Sequence, residues 1–507
     1  MSNKIITLES LSVLLGSKRT QDLKIVQCHG VFDLLHIGHI RHFEESKRHG
    51  DILVVSITAD AYVNKGSGRP VFDQHIRSEA IAALSCIDYV VISDQPTAVE
   101  AILAIRPHYY AKGPDYQNPE DDLTDGITPE TNAIHSVGGE LIITDDITFS
   151  SSNIINTHSS LLSDETRKFL QGFRNQNSTA GIINYLQESD KIKILVIGET
   201  IIDEYIYCEA LGKSGKEPIL AIRYLDTEKF AGGAPAVANH AASLCSQTSL
   251  ITFLGKTDSY EDFLRDKLNT TINPIFLTMD GDKPTIVKRR FIESYPFQKL
   301  LELYIMEGDE SDPSDSRVLR ENLEALLPEY DLVIAIDYGH GMIDNETVDL
   351  LCSKSKFLAV NTQTNAANQG FNTISKYSRA DFICVSEREI RLEVRSQKRD
   401  LKSIAIEVSK KLSCNRILIT RGQSGCLCYS ATEGFFEVPA FGSQVIDRVG
   451  AGDAVLASAS ICAYQEAPME VVGFLGNVVG SEAVRIVGNR NSVDKMYLFK
   501  FIETLLK

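Results

Sequence analysis

Two short stretches hold residues whose types and spacing suit chemistry on phosphate. In GVFDLLHIGHI, residues 30 to 40, His36 and His39 stand three positions apart, one turn of a helix. In DRVGAGDA, residues 447 to 454, Asp453 follows Gly450-Ala451-Gly452. Paired imidazoles suggest a metal, a polar helix face or an anion. No third ligand lies at zinc-like spacing, and Asp33 alone is a weak one. Gly38 lets a ligand approach the backbone closely, and a helix N-terminus offers unpaired N–H groups and partial positive charge to an anion. A lone H-x-x-H is as readily two polar residues on a helix face, so the pair by itself leaves the choice open. In the second stretch, glycines let successive N–H groups converge on an anion, and a carboxylate beside such a hole can take the proton of an attacking hydroxyl. A glycine-rich helix start can also be purely structural.

The elements that must position these residues are parallel strands. LKIVQCHGVFD (23–33) and IKILVIGETIID (192–203) are apolar, β-branched runs ending in a glycine-containing turn, as buried parallel strands do. DILVVSIT, DYVVIS and GELIIT follow the first; YDLVIAIDYG, KFLAVNTQ, DFICVS and NRILITRG follow the second. Strands alternating with helical stretches predict two doubly wound α/β units. The expected boundaries are a domain over 1–165, a polar, partly amphipathic helical linker over 166–190, and a domain over 191–507. No short-period repeat is present, which excludes a solenoid.

Composition narrows the function classes. A chain of 507 residues, 43% hydrophobic and 23% charged, is globular and too long for one ordinary domain. The formal net charge of −17 argues against nucleic acid and anionic membrane as partners. No apolar run approaches the ~20 residues that span a bilayer, and the N-terminus lacks the pattern of a secretory leader. The ten cysteines are scattered, only Cys426 and Cys428 lying close; reduced thiols in a cytoplasmic protein are expected.

Around the histidines, Gly30-Val-Phe32-Asp33-Leu-Leu-His36-Ile-Gly38-His39 resembles the G-x-F-D-x-x-H-x-G-H signature of cytidylyltransferase-like nucleotidylyltransferases. GDILVVSITAD, NKGSGRPVFDQHIRSEAIAAL, YYAKGPDY and TFSSSNIIN continue the likeness over roughly residues 20–160. The resemblance implies a Rossmann-like domain in which a phosphate oxygen attacks the α-phosphate of ATP or CTP. It assigns His36 and His39 to the α-phosphate and Gly30, Phe32, Asp33 and Gly38 to the nucleotide-binding turn. Lys65 and Arg77 fall on phosphate-neutralising positions, and Lys112 adds charge or a substrate contact; an exposed surface lysine is the plain alternative. Ser150, Ser151 and Ser152 match donors to the β- and γ-phosphates, with a simple helix cap as the alternative.

Over residues 191–507, DRVGAGDA and Phe230-Ala-Gly232-Gly233-Ala234-Pro-Ala-Val-Ala-Asn239 resemble the two signatures of ribokinase-like, PfkB-type sugar kinases. That resemblance implies Asp453 as base and an anion hole of the amides of Ala451, Gly452 and Asp453 at Gly450. Asp203, Gly232, Gly233 and Asn239 fall on the sugar side; Thr420, Gly422 and Gly425, in ITRGQSG, fall on the nucleotide side. Tyr205 to Lys229 would form a small β-lid, often a dimer surface in the family. Two departures stand out. The N-x-x-E run near the Mg²⁺–phosphate network reads Ser386-Glu387-Arg388-Glu389, keeping only Glu389 as an indirect metal contact, and the V-D-P-K strand reads Val360-Asn361-Thr362-Gln363.

The two halves together resemble the bifunctional heptose-phosphate kinase/heptose-1-phosphate nucleotidylyltransferases, with the order of the halves reversed. This implies Mg²⁺, ATP for the kinase, ATP or CTP for the transferase, a heptose-like sugar or sugar phosphate, and a homodimer or higher oligomer. The second reading keeps an active transferase, on a polyol or sugar phosphate, with a silent kinase fold that binds ligand or dimerises.

Overall fold

The computed structural model describes residues 4–19, 21–66, 68–113, 127–144, 162–306, 312–366, 368, 370–442 and 445–507. They form two compact units, Met1–Ala180 with Met496–Lys507, and Gly181–Lys495.

The N-terminal unit is built on five parallel strands, β1 (Ile25–Gly30), β2 (Ile52–Thr58), β3 (Tyr89–Ser93), β4 (Tyr109–Lys112) and β5 (Glu140–Ile143), in the order β3-β2-β1-β4-β5. β1 and β2 are buried along most or all of their length, which is why they read as continuous apolar runs rather than alternating ones. The order switches direction between β1 and β4. Ligands of open α/β sheets bind at such a switch, outside the carboxyl ends of the strands. His29 to His39 leave β1 at that end. The helix Asp164–Gln176, capped by Ser163, belongs to this unit, whereas most of the helix Thr179–Glu188 belongs to the other. The stretch expected as a linker is therefore two helices divided between the units.

The second unit holds a nine-stranded sheet and a four-stranded lid. In chain order its strands are β6 (Lys193–Gly198), β7 (Thr200–Lys213), β8 (Leu220–Gly233), β9 (Gln247–Leu254), β10 (Asn273–Thr278), β11 (Ile286–Glu293), β12 (Gln298–Ile305), β13 (Leu332–Asp337), β14 (Leu358–Thr362), β15 (Phe382–Ser386), β16 (Arg416–Thr420), β17 (Cys426–Ser430) and β18 (Gly434–Val438). The main sheet runs β10-β9-β6-β13-β14-β15-β16-β17-β18, parallel up to β16 and antiparallel beyond it. The lid runs β12-β11-β7-β8. The sequence reads residues 192–203 as one strand, but the chain changes sheet at Glu199. Its carboxylate accepts the Tyr338 and His340 amides, both at 3.0 Å, which pins the corner to the end of β13. The lid is larger than the Tyr205–Lys229 hairpin expected, because β11 and β12 extend it. The last helix, Lys495–Leu506, falls in the N-terminal unit from Met496 onward, rather than in a domain running to 507.

Among the described residues no helix is long and apolar enough to cross a membrane.

Candidate active sites

In the N-terminal unit, the chain leaves β1 through Phe32, whose left-handed φ of 48° turns its ring inward. That ring meets His39 edge-on at 5.1 Å and Phe43 at 4.9 Å. His36 caps the helix Ile37–Arg48, its Nδ1 accepting the Gly38 amide at 3.2 Å. An accepting Nδ1 leaves the proton of the neutral ring on Nε2, a donor for a ligand. The two imidazoles stack with centroids 3.9 Å apart. Burial, then Lys65, lowers the His36 pKa; burial, then His36 and Lys65, lowers His39 to about 3. Both shifts favour the neutral rings, which can stack this closely without the repulsion of two imidazolium charges. Lys65 is half-buried and brought down to about 8 by burial and by Arg69, against the opposing pull of Asp33.

Several residues placed on the phosphate by resemblance have other partners here. Asp33 is fully buried; its Oδ2 pairs with Arg69 at 2.5 Å and its Oδ1 accepts the Val71 amide at 2.6 Å. Arg77 is an internal clamp rather than a surface cation. It donates to the carbonyls of Phe72, Val31 and Thr58 at 3.0, 2.6 and 2.9 Å and pairs with Asp60 at 2.5 Å. Those bonds hold the turn after β1 against the end of β2, so Arg77 acts on the site through the backbone. Lys112 pairs with buried Glu130 at 2.7 Å and lies over the Tyr110 ring. Gly30 ends β1 and so precedes the turn it was expected to form, because the strand runs on through His29, while Gly38 lies at the helix start. Ser150, Ser151 and Ser152 lie outside the described residues. Sequence reading passes over His29, which shares hydrogens with Ser56 Oγ at 2.9 Å and Thr58 Oγ1 at 3.3 Å. Its place one residue before Gly30 is the signal available.

In the second unit a cavity of about 300 Å³ opens where the lid meets the carboxyl ends of the sheet. Asp203, Gly233, Lys288 and Arg290 line it from the lid. Tyr338, Asn361, Gln363, Ser386, Glu389 and Thr420 line it from the sheet, and Arg448 to Gly450, Gly452 and Asp453 from the glycine loop. Asp453, only 8% exposed, accepts on Oδ1 from the Tyr338 hydroxyl at 3.1 Å and the Gln363 amide at 3.2 Å. Burial, with the Asp203 charge, pushes its pKa up to about 7, although both hydrogen bonds and Lys288 oppose this. A carboxylate so poised is a proton acceptor near neutral pH. The Asp453 helix, Ala451–Tyr464, starts at Gly450, whose φ of 84° and Cβ position 2.0 Å from Asn489 Oδ1 leave room for glycine alone. The amides of its first turn have no acceptor within the helix, which suits them to an anion.

The lid supplies cations. Arg290 pairs with Asp203 and, at 2.7 Å, with Glu302. Lys288 lies over the rings of Tyr304 and Tyr338 at 5.2 and 5.4 Å. The sequence reading did not single these out, although Lys288 and Arg290 alternate along β11 and so share a face. Gly232 faces Asp203; a Cβ there would lie 2.1 Å from Asp203 Oδ2. Asp447, also passed over, accepts from Tyr205 at 2.6 Å and pairs with Lys299 at 2.5 Å, fastening the glycine loop to the lid.

Other expected contacts fall elsewhere. Asn239 bridges to the 267–269 turn, donating to the Lys267 carbonyl at 3.1 Å and accepting the Asn269 amide at 2.8 Å, and is not among the cavity-lining residues. Gly425 is required by its φ of 74° and by the Val438 carbonyl, 2.0 Å from a Cβ position; it and Gly422 shape the turn beside Thr420 rather than line the cavity. Glu389 closes a capping box with Ser386 while lining the cavity. Among the described residues no cluster of three or more His, Cys, Asp or Glu side chains could hold a metal alone. Mg²⁺ typically binds through one or two carboxylates and the substrate phosphates, a role that Glu389, which lines this cavity, fits.

The pfkB family carbohydrate kinase model matches residues 191–496, and the cytidylyltransferase-like model matches residues 28–157. Curated relatives named "Bifunctional protein HldE" align with the cytidylyltransferase-like region. That of Pelobacter propionicus is 41% identical over 116 residues, covering 22% of this chain and 24% of the relative. That of Syntrophotalea carbinolica is 38% identical over 149 residues, covering 28% of each. The chain thus spans about a quarter of the length of these relatives. Phosphofructokinase-2 from Escherichia coli, in its complex with potassium, superposes with a TM-score of 0.50 at 16% identity, over 62% of this chain and 100% of that one. At that identity the likeness concerns the fold.

Proposed function

The chain belongs to the pfkB family of carbohydrate kinases and carries a cytidylyltransferase-like region ahead of the kinase, and from that premise we propose a bifunctional enzyme of nucleotide-sugar synthesis. In the kinase half, Asp453 removes the proton of a sugar hydroxyl. The oxygen attacks the γ-phosphorus of ATP, the bond to the bridging oxygen breaks, and ADP leaves. The amides of Ala451, Gly452 and Asp453 stabilise the transferring phosphoryl charge. Glu389 would help hold Mg²⁺, which neutralises charge on the nucleotide phosphates. The observation that carries this half is Asp453, poised near neutrality beside a helix N-terminus in the lid-covered cavity. Lys288, Arg290 and Arg448 around the same cavity support a phosphorylated, heptose-like sugar over a neutral one.

In the other half, a phosphate oxygen of a sugar 1-phosphate attacks the α-phosphorus of ATP or CTP and pyrophosphate leaves. His36 and His39 donate to the α-phosphate as its charge builds; positioning and electrostatics are the main contributions. Cytoplasmic residence suits both soluble substrates. A homodimer through the lid is supported by exposed Leu220, Tyr224, Leu225, Leu301 and Leu303. A mass-spectrometric product screen tests the whole reading. Purified protein with Mg²⁺ and the four nucleoside triphosphates is offered heptose 7-phosphate, heptose 1-phosphate, glycerol 3-phosphate and free sugars. A new phosphosugar together with a nucleotide-sugar is expected. A nucleotide-linked product alone would assign the kinase fold to ligand binding.

A further inference from the structure

The helix Lys495–Leu506 follows the kinase fold in sequence, yet from Met496 onward it packs within the N-terminal unit. Seven of its residues are buried, Leu498, Phe501, Ile502 and Leu505 among them, on the 3-4 spacing of a docked helix face. What Phe501 touches is specific. Gly66, in the turn that carries Lys65, has a φ of 89°, and a Cβ there would lie 2.1 Å from the Phe501 ring. The ring and the glycine backbone are thus in direct contact, and only glycine fits on both counts.

We propose that this C-terminal segment is a wall of the nucleotidyl-transfer site, with Phe501 clamping the Lys65–Gly66 turn. The inference rests on the transferase half of the proposed function and adds a positioning residue from the far end of the chain. It separates the two activities by residue. Phe501 lies beyond the span that matches the kinase family, so the kinase reaction serves as the internal control for a change there.

The test uses the full chain with Phe501→Ala and the conservative Phe501→Leu. Pyrophosphate release with ATP and with CTP, ADP release by the kinase, and hydrogen exchange of residues 60–72 are measured in parallel. Phe501→Ala is expected to speed exchange of that segment and to raise the transferase KM for triphosphate about tenfold, with kinase kinetics unchanged and recovery in Phe501→Leu. Unchanged exchange and KM in Phe501→Ala would overturn the clamp, as would a parallel fall of both activities. If the unaltered chain releases no pyrophosphate with any acceptor, the transferase reading fails, and the exchange of residues 60–72 alone decides whether Phe501 holds the turn.

Discussion

Replacing Asp453 by Asn should stabilise the kinase unit while removing its activity. The carboxyl is buried and its pKa lies near 7 in place of 3.8. Between those values the folded protein holds a proton that the unfolded chain has lost, so stability falls as pH rises from about 4 to about 7. At pH 8 the buried charge costs roughly 4 kcal/mol, at ~1.4 kcal/mol for each factor of ten in acidity. The neutral amide avoids this. Both hydrogen bonds to the carboxylate arrive at one oxygen, from Tyr338 and Gln363, and a carboxamide oxygen can accept both. Because the cavity is open to water, about 2–4 kcal/mol should be gained at pH 8, a rise of roughly 3–6 °C in the melting temperature of the unit. The gain should vanish below pH 4, where Asp453 is protonated in both states. Urea unfolding read by hydrogen exchange on the helix Ala451–Tyr464, from pH 4 to pH 8, measures it directly. Parallel pH slopes for the native and Asn proteins, or a loss of stability at pH 8, would refute the reasoning. Sugar phosphorylation should fall by at least about 100-fold in the same variant.

Kinase kcat/KM should climb through about pH 7 as Asp453 ionises, and Gln363→Lys, by placing a cation against that carboxylate, should move the limb to lower pH; a pH–rate profile of each protein checks both. Gly232→Ala would set a methyl 2.1 Å from Asp203 Oδ2 and should abolish sugar phosphorylation while pyrophosphate release by the transferase continues. Arg69→Met leaves Asp33 buried without its charge partner, and should destabilise the N-terminal unit by about 3–5 kcal/mol, read by denaturant unfolding at pH 7. Triphosphate binding to the transferase should weaken as pH rises through about 8, where Lys65 loses its proton, a trend that titration calorimetry with ATP and CTP would follow.

What was legible in the sequence is what lies contiguous in it. Apolar runs announced the parallel strands, and the glycine spacing at Gly450 and Gly452 announced a helix start beside a carboxylate. What was hidden depends on partners far along the chain. Arginine at a phosphate-like position reads the same whether it meets solvent or, like Arg77, four acceptors inside the protein. Asn239 sits in a signature run, but its amide turns to a loop thirty residues away. The corner at Glu199 was hidden because strands of two different sheets follow one another with a single residue between them. Lys288 and Arg290 sit in a strand whose neighbours, Arg289 included, are as cationic as they are; only the pleat says which of them face the cavity. An amphipathic helix shows that it must dock, never where, so the allegiance of Lys495–Leu506 could not be read from its pattern.

That allegiance bears on how the chain folds as it is made. The N-terminal unit leaves the ribosome first, yet the residues that cover its Lys65–Gly66 turn are translated only after the entire second unit. Its sheet can form early, because β1 to β5 are complete by Ile143, but the Lys65–Gly66 turn gains its Phe501 cover only after the second unit has been made. A ribosome that stalls within the second unit would therefore release an N-terminal unit whose Lys65–Gly66 turn lacks that cover.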